Sequence, residues 1–338
     1  MRRGVAVACV VLFSRTTSHA FAADAVSVTE TNAASAVGAE ASRAVTPELE
    51  SAIAFAASAP QFGTWRGTSF GAILPPDNLD VDDSGGFDVA FHFHAAMMAE
   101  RDWRVSNANV VVASATYGIG SGVYADAFAS PARFGQTLRE IASVIEQRPA
   151  FKGQSLHVRR VTLVAWSAGF AAVAAILSVP ANYDRVDSVV LLDGLHAPYT
   201  HPEAGNGQGE AALKPGSLVT FTRFAQDALA NKKTFVMTHS SIVPPGYAST
   251  TECVGALLHA LGADLQESEP VAGERSSLVR RFDRGNLHAR GFTGTSQPAH
   301  IDHLHMVGAM MRDYVIPERL ARTPRSDEVA LSERREAE

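Results

Sequence analysis

The stretch 161–173, VTLVAWSAGFAAV, limits the possible folds more than any other part of the chain. It begins with apolar, partly β-branched residues typical of a buried strand and ends in an alanine-rich segment typical of a helix. Small residues surround Ser167, with Ala165 two positions before it and Gly169 two positions after it. Only small side chains fit so sharp a strand-to-helix turn, which lifts its central side chain above the sheet edge. The stretch therefore predicts an α/β fold with an accessible serine, although a helix-capping serine gives the same local pattern.

Strand-like and helix-like segments alternate on both sides of this stretch. Near-continuous apolar strands separated by helices are typical of a mainly parallel sheet with helices on both faces. Ligands of such sheets bind at the carboxyl ends of the strands. Further helices are predicted over 134–146, 217–230 and 304–315. The predicted strands span 68–74, 88–94, 109–115, 186–192, 233–238 and 286–293.

The two ends of the chain differ in composition from its centre. Residues 1–22 join two arginines to a short apolar run and end on AFA, which is the pattern of a secretory signal peptide. The run is too short to form a stable transmembrane helix, so we expect a secreted or periplasmic protein with no membrane span after signal removal. Residues 23–58 predict a flexible leader, and the charge-rich residues 321–338 predict a disordered tail.

Charge and motif spacing exclude several classes of function. The formal net charge of −6, without a basic cluster, argues against a nucleic-acid partner. Residues 117–122 form a glycine-rich loop, but its glycine spacing is wrong for a dinucleotide site, and no acidic residue about 20 positions later ends a second strand. His300, His303 and His305 lack the spacing of a zinc-binding helix. We therefore expect neither a cofactor nor a metal ion.

The order of these elements resembles the α/β-hydrolase superfamily, and the chain is similar to its secreted bacterial serine esterases and lipase-like members. The resemblance covers roughly residues 68–320, in a hydrolase domain predicted over 59–320. In that superfamily the serine of a G-x-S-x-G turn is the nucleophile. Here Ala165 replaces the first glycine, and the resemblance assigns the nucleophile's role to Ser167.

The resemblance implies a histidine base between the last strand and the last helix. His300 lies in the predicted loop 294–302, whereas His303 and His305 are expected in the first turn of the helix. Histidine suits this role because it titrates near neutral pH. We favour His300 as the general base, with His303 as the alternative.

The carboxylate that would orient this base is absent from its usual place. No Asp or Glu occurs between the strand that ends at Thr238 and Glu252. Asp193 directly follows the preceding strand, and some members of the superfamily place their acid there. The following Gly194 permits the turn that this position needs. We favour Asp193 as the orienting acid, with Glu252 as the alternative, although an Asp-Gly pair is also a common turn signal.

Two backbone amides would stabilise a negatively charged oxygen in such an enzyme. One is expected from Ala168, next to the serine, and the other from Ala95 in the loop after the strand 88–94, where lipases carry a His-Gly motif. Alanine resists the positive φ that glycine adopts readily. The substrate pocket is expected to include His94, Trp166 and Tyr117.

Residues 195–232 are too many for a plain connection between strands six and seven. We interpret their polar, glycine-rich first part as a cap-like insertion. The sequence thus predicts a secreted serine hydrolase that cleaves a small-molecule or lipid ester through an acyl-enzyme. An inactive hydrolase-fold binding protein, or an amidase, peptidase or acyltransferase with the same three side chains, stays open as an alternative.

Overall fold

The structure, a computed structural model, describes residues 61–270 and 276–317. The predicted signal peptide (1–22), leader (23–58) and tail (321–338) lie outside the described residues. Within them the strands are β1 (Arg66–Thr68), β2 (Gly71–Leu74), β3 (Gly86–Phe93), β4 (Val111–Ala115), β5 (His157–Trp166), β6 (Ser188–Leu192), β7 (Thr234–His239), β8 (Gln266–Glu267), β9 (Leu278–Arg284) and β10 (Leu287–Phe292).

The strands form one sheet in the order β1-β2-β4-β3-β5-β6-β7-β10-β9-β8. The central strands from β4 to β10 run parallel, and the strands at both edges are antiparallel. Every residue of β3, β4, β6 and β7 is buried, which is why their sequences are almost continuously apolar.

Helices cover both faces of the sheet. They are α1 (Glu100–Arg104), α2 (Ser121–Ala127), α3 (Pro131–Glu146), α4 (Phe170–Leu177), α5 (Pro180–Arg185), α6 (Val219–Leu229), α7 (Thr250–His259), α8 (Gln297–His305) and α9 (Val307–Met310), followed by a π-helical turn over Met311–Val315. Buried residues of α1, α8 and α9 belong to the smaller apolar core, on one face of the sheet. Buried residues of α2 to α7 belong to the larger apolar core, on the other face. The predicted α/β class, a mainly parallel sheet with helices on both faces, is confirmed.

Three parts of the structure differ from the prediction. The predicted strand 68–74 spans a hairpin of β1 and β2, because the chain turns at Ser69 and Phe70, and Gly71, with φ of 149°, begins β2. The strand β9, which lies between β10 and the edge strand β8, was not predicted, since its charged, partly exposed sequence LVRRFDR lacks a strand-like apolar pattern. The last helix begins at Gln297 rather than near Asp302.

Candidate active site

Ser167 occupies the turn between β5 and α4. Its φ of 49° lies in the left-handed region, which is uncommon for a residue other than glycine and marks a strained backbone. A side chain at position 169 would meet the carbonyl oxygen of Phe93 at 2.4 Å, so Gly169 is required for the turn to pass the neighbouring strand. Ala165, the penultimate residue of β5, is fully buried, and its small side chain fits at this position without a glycine. The local sequence therefore dictates the sharp turn that was expected.

Asp193 lies beside this turn at the end of the next strand. Trp166 and Leu192 are paired across β5 and β6, which brings the residues after them to the same point of the sheet edge. Asp193 also has a left-handed backbone, with φ of 43°. The α-carbon of Gly194 comes so close to Ser167 that a β-carbon there would lie 3.1 Å from the serine nitrogen. The serine and the aspartate thus stand on adjacent turns.

The Asp193 carboxylate is buried and accepts hydrogen bonds on both oxygens. Its Oδ1 accepts from the Ser240 amide at 2.9 Å and the Thr250 hydroxyl at 2.5 Å. Its Oδ2 lies 2.6 Å from His300 Nδ1. Burial opposes ionisation, but the hydrogen bond from His300 and the neighbouring His303 and His300 outweigh it and hold the pKa of Asp193 well below its usual range. The ionised carboxylate keeps the proton of His300 on Nδ1 and leaves Nε2 free to accept another.

His300 belongs to the second turn of a helix, not to a loop. Ser296 caps α8 by accepting a hydrogen bond from the Ala299 amide. The expected loop position is therefore wrong, because a Ser-x-Pro start, an ordinary helix signal, lies five residues earlier than the expected start. The helical position still directs the imidazole to Asp193, which lies 107 residues earlier in the chain.

The other two histidines of this helix face elsewhere. His303 is fully buried, and its Nδ1 lies 2.7 Å from the Thr238 hydroxyl. His305 Nδ1 lies 2.7 Å from the Asp102 carboxylate. Of the three histidines, His300 is the one that the structure brings to the carboxylate of Asp193.

Glu252, the alternative acid, is occupied at the start of α7. It closes a capping box with Ser249, in which each side chain binds the other's backbone N–H. The same carboxylate accepts from the Tyr199 hydroxyl at 2.9 Å and the Gly209 amide at 2.7 Å, both in the segment predicted as a cap. Glu252 therefore fastens this segment to α7, while its neighbour Thr250 binds Asp193.

The predicted donors for a negatively charged oxygen lie in two turns. Ala168 directly follows the serine in the short helical turn Ser167–Gly169. The Ala95 amide donates to the Thr116 hydroxyl at 3.1 Å, so its N–H is already engaged. Ala96 begins the next helical turn, and the first N–H of such a turn has no partner within it. The Ala95 assignment stays a prediction, with the Ala96 amide as a second candidate.

Two consecutive left-handed residues shape this loop. His94 has φ of 71° and Ala95 has φ of 61°, although neither is glycine. The Tyr124 hydroxyl donates to the Gly118 carbonyl, so it accepts a hydrogen bond from His94 Nδ1 at 2.7 Å. The Tyr117 amide also donates to this hydroxyl. Burial, and secondarily the proximity of His300, lowers the pKa of His94 to about 4, so this imidazole stays neutral near pH 7.

The structure adds one histidine that was not singled out from the sequence. His196 follows Asp193 by three residues and packs its ring edge-to-face against Phe170 and Tyr247. Burial lowers its pKa to about 4, and Asp193 and His300 lie within electrostatic range. The sequence signal that could have identified His196 was its position three residues after the predicted acid, Asp193. His196 is thus a neutral wall of the same site.

Among the described residues, no three His, Cys, Asp or Glu side chains are grouped so that they could hold a metal ion. In the same part of the chain, no helix has the length and apolar character needed to cross a bilayer.

No protein-family model and no curated protein matches the chain. Among solved structures, the esterase Pf2001 of Pyrococcus furiosus aligns over 75% of this chain and 93% of its own, at 10% identity and a TM-score of 0.36. The carboxylesterase CesB of Bacillus subtilis aligns over 79% and 98%, at 8% identity and a TM-score of 0.37. The N-acyl homoserine lactonase AidH aligns over 75% and 97%, at 9% identity and a TM-score of 0.35. With scores this low, the chain's chemistry has to be inferred from its own residues.

Proposed function

We propose that the protein is a serine hydrolase that cleaves a carboxylic ester through an acyl-enzyme on Ser167. The observation that carries the proposal is the 2.6 Å contact between His300 Nδ1 and the buried carboxylate of Asp193, beside a serine held at a left-handed turn. A nucleophile, a base and a group that orients the base are the three parts that acyl transfer requires.

In this mechanism His300 Nε2 takes the proton from the Ser167 hydroxyl as its oxygen attacks the ester carbonyl carbon. The carbonyl oxygen becomes negative and is stabilised by the Ala168 amide and an amide of the 95–96 turn. When the intermediate collapses, His300 gives its proton to the departing alcohol and the acyl group remains on the serine. Water then repeats the sequence and releases the acid. Asp193 stabilises the imidazolium at both stages.

An inactive binding protein was an alternative because no acid follows β7. The contact between Asp193 and His300 supports a working pair, and the loop after β7 together with the start of α7 contributes the Ser240 and Thr250 donors that hold the acid. Amidase, peptidase and acyltransferase activities use the same groups, and comparing esters with anilides of the same acids separates ester cleavage from amide cleavage.

We further propose that the enzyme is exported, which the signal-like residues 1–22 support. Finding a mature chain that begins at Ala23 in the medium would test this.

The hydrolase proposal is tested by turnover of p-nitrophenyl esters of increasing chain length, beside anilides of the same acids. Ser167→Ala should lower kcat by roughly 10⁴-fold or more. Ser178→Ala is the matched control, since that exposed hydroxyl only donates to the Ala175 carbonyl. Turnover that survives in Ser167→Ala, or that disappears with a chelator in the wild type, would contradict the proposal.

A further inference from the structure

The indole of Trp166 packs against two histidine rings. Its centroid is 5.0 Å from that of His94, with the planes only 10° apart. The centroid of the His300 ring is 4.7 Å from that of Trp166, with the planes tilted by 31°. The indole Nε1–H also donates to the backbone carbonyl of His300 at 2.9 Å. Trp166 therefore contacts both the ring and the backbone of the proposed base.

The ring of His94, against which Trp166 stacks, is held in place. His94 is held through its Nδ1 by Tyr124, whose hydroxyl is itself bound to the Gly118 carbonyl. Trp166 is the last residue of β5 and almost fully buried. A rigid strand end and a bound imidazole thus hold the indole in place, so that it can hold His300 in turn.

We propose that Trp166 is a positioning residue: its N–H fixes the backbone at His300, and its ring face stabilises the imidazolium that forms when Ser167 loses its proton. A cation within about 6 Å of an indole centroid is attracted by the negative face of the ring. The attraction is absent while the imidazole is neutral, so it favours the transition state over the ground state. The proposal depends on the hydrolase function above and goes beyond the substrate-pocket role first expected for Trp166.

The titratable groups that surround the His300 ring are Asp193, His94, His196 and His303. Burial keeps His94 and His196 neutral near pH 7. The Asp193 carboxylate is therefore the counter-charge for the imidazolium that forms when His300 takes the serine proton.

The kinetic test compares Trp166→Phe with Trp166→Leu. Phenylalanine keeps a weaker aromatic face without the N–H, and leucine removes both, so kcat should fall by about 10-fold and about 100-fold, respectively. KM should change by less than about threefold, because the interaction develops with the charge. Trp103→Phe is the matched control: this buried tryptophan of α1 also donates its indole N–H to a histidine, at the ring Nδ1 of His92, but lies outside the site. Variants that change KM or chain-length preference while kcat is kept would reduce Trp166 to a pocket wall and overturn the proposal.

A second readout needs no turnover. The emission of an indole depends on the groups in contact with it, so His300→Asn should change the tryptophan emission at a fixed pH. The same His300→Asn substitution should leave the emission unaltered when it is made in Trp166→Phe, but the emission change should persist when it is made in Trp103→Phe. An emission change that survives in Trp166→Phe would overturn the proposed contact. If the wild type turned over no ester, the proposed function would fail, and this comparison would still decide whether Trp166 contacts His300.

Discussion

Replacing Asp193 with asparagine should disable the base without disturbing the fold. Oδ1 of Asp193 faces two donors, the Ser240 amide and the Thr250 hydroxyl. In Asp193→Asn the amide oxygen must therefore keep this place, since an NH₂ group there would meet two donors. The NH₂ group is then left facing His300 Nδ1, which has to accept a hydrogen bond and move its proton to Nε2.

An imidazole with its proton on Nε2 cannot take one from Ser167. The same tautomer change in a serine protease lowers kcat by roughly 10⁴-fold. At 1.36 kcal/mol for each factor of ten, this is about 5.5 kcal/mol of transition-state stabilisation. We expect a loss of this order in kcat for an activated ester, with KM nearly unchanged and thermal unfolding close to that of the wild type.

Glu252→Gln is the matched control for the charge change. It removes a carboxylate that binds Ser249, Tyr199 and the Gly209 amide but does not reach His300. Its kcat should stay within about threefold of the wild type, since no reacting group loses a partner. An Asp193→Asn enzyme that keeps its kcat, or a Glu252→Gln enzyme that loses it, would refute this account of the acid.

Two further predictions concern backbone strain and pH. Ala95→Gly should raise the free energy of unfolding by about 1 kcal/mol, because Ala95 has φ of 61°, whereas Ala96→Gly should lower it. Urea unfolding of both variants measures this difference. A destabilised Ala95→Gly variant would contradict the strained backbone of this loop. Burial lowers the pKa of His92 to about 3 and those of His196 and His239 to about 4. Below about pH 6.5 the unfolded chain therefore binds more protons than the folded chain at these three positions. As the pH is lowered, the free energy of unfolding should decrease by about 1.4 kcal/mol per pH unit for each histidine, until its folded pKa is reached. Urea unfolding at pH 7 and pH 5 measures this slope, and equal stability at the two values would contradict the buried neutral histidines.

Local sequence signals predicted the serine turn well. Gly169 has no side chain because the neighbouring strand β3 passes close by, and that requirement is visible in the few residues around Ser167. Asp193 could be favoured because no other carboxylate follows either strand. In both cases the information lies within one strand and the turn after it.

Contacts between distant parts of the chain could not be predicted in this way. The Ser240 and Thr250 donors reach Asp193 across 47 and 57 positions, and the indole of Trp166 reaches His300 across 134. Such pairs depend on strand order and on where α8 starts. The helix start itself was signalled by Ser296 before a proline, but the histidine-rich residues after it hid this signal.

The most direct test of the central claim is the site of covalent modification by a fluorophosphonate. The purified protein is treated with the probe, digested and mapped by tandem mass spectrometry, beside Ser167→Ala and His300→Asn. We predict a single adduct on Ser167 in the wild type, no adduct in Ser167→Ala, and labelling slowed by orders of magnitude in His300→Asn. An adduct on another residue, or an unlabelled wild type with its fold intact, would contradict the assignment of Ser167 as the nucleophile.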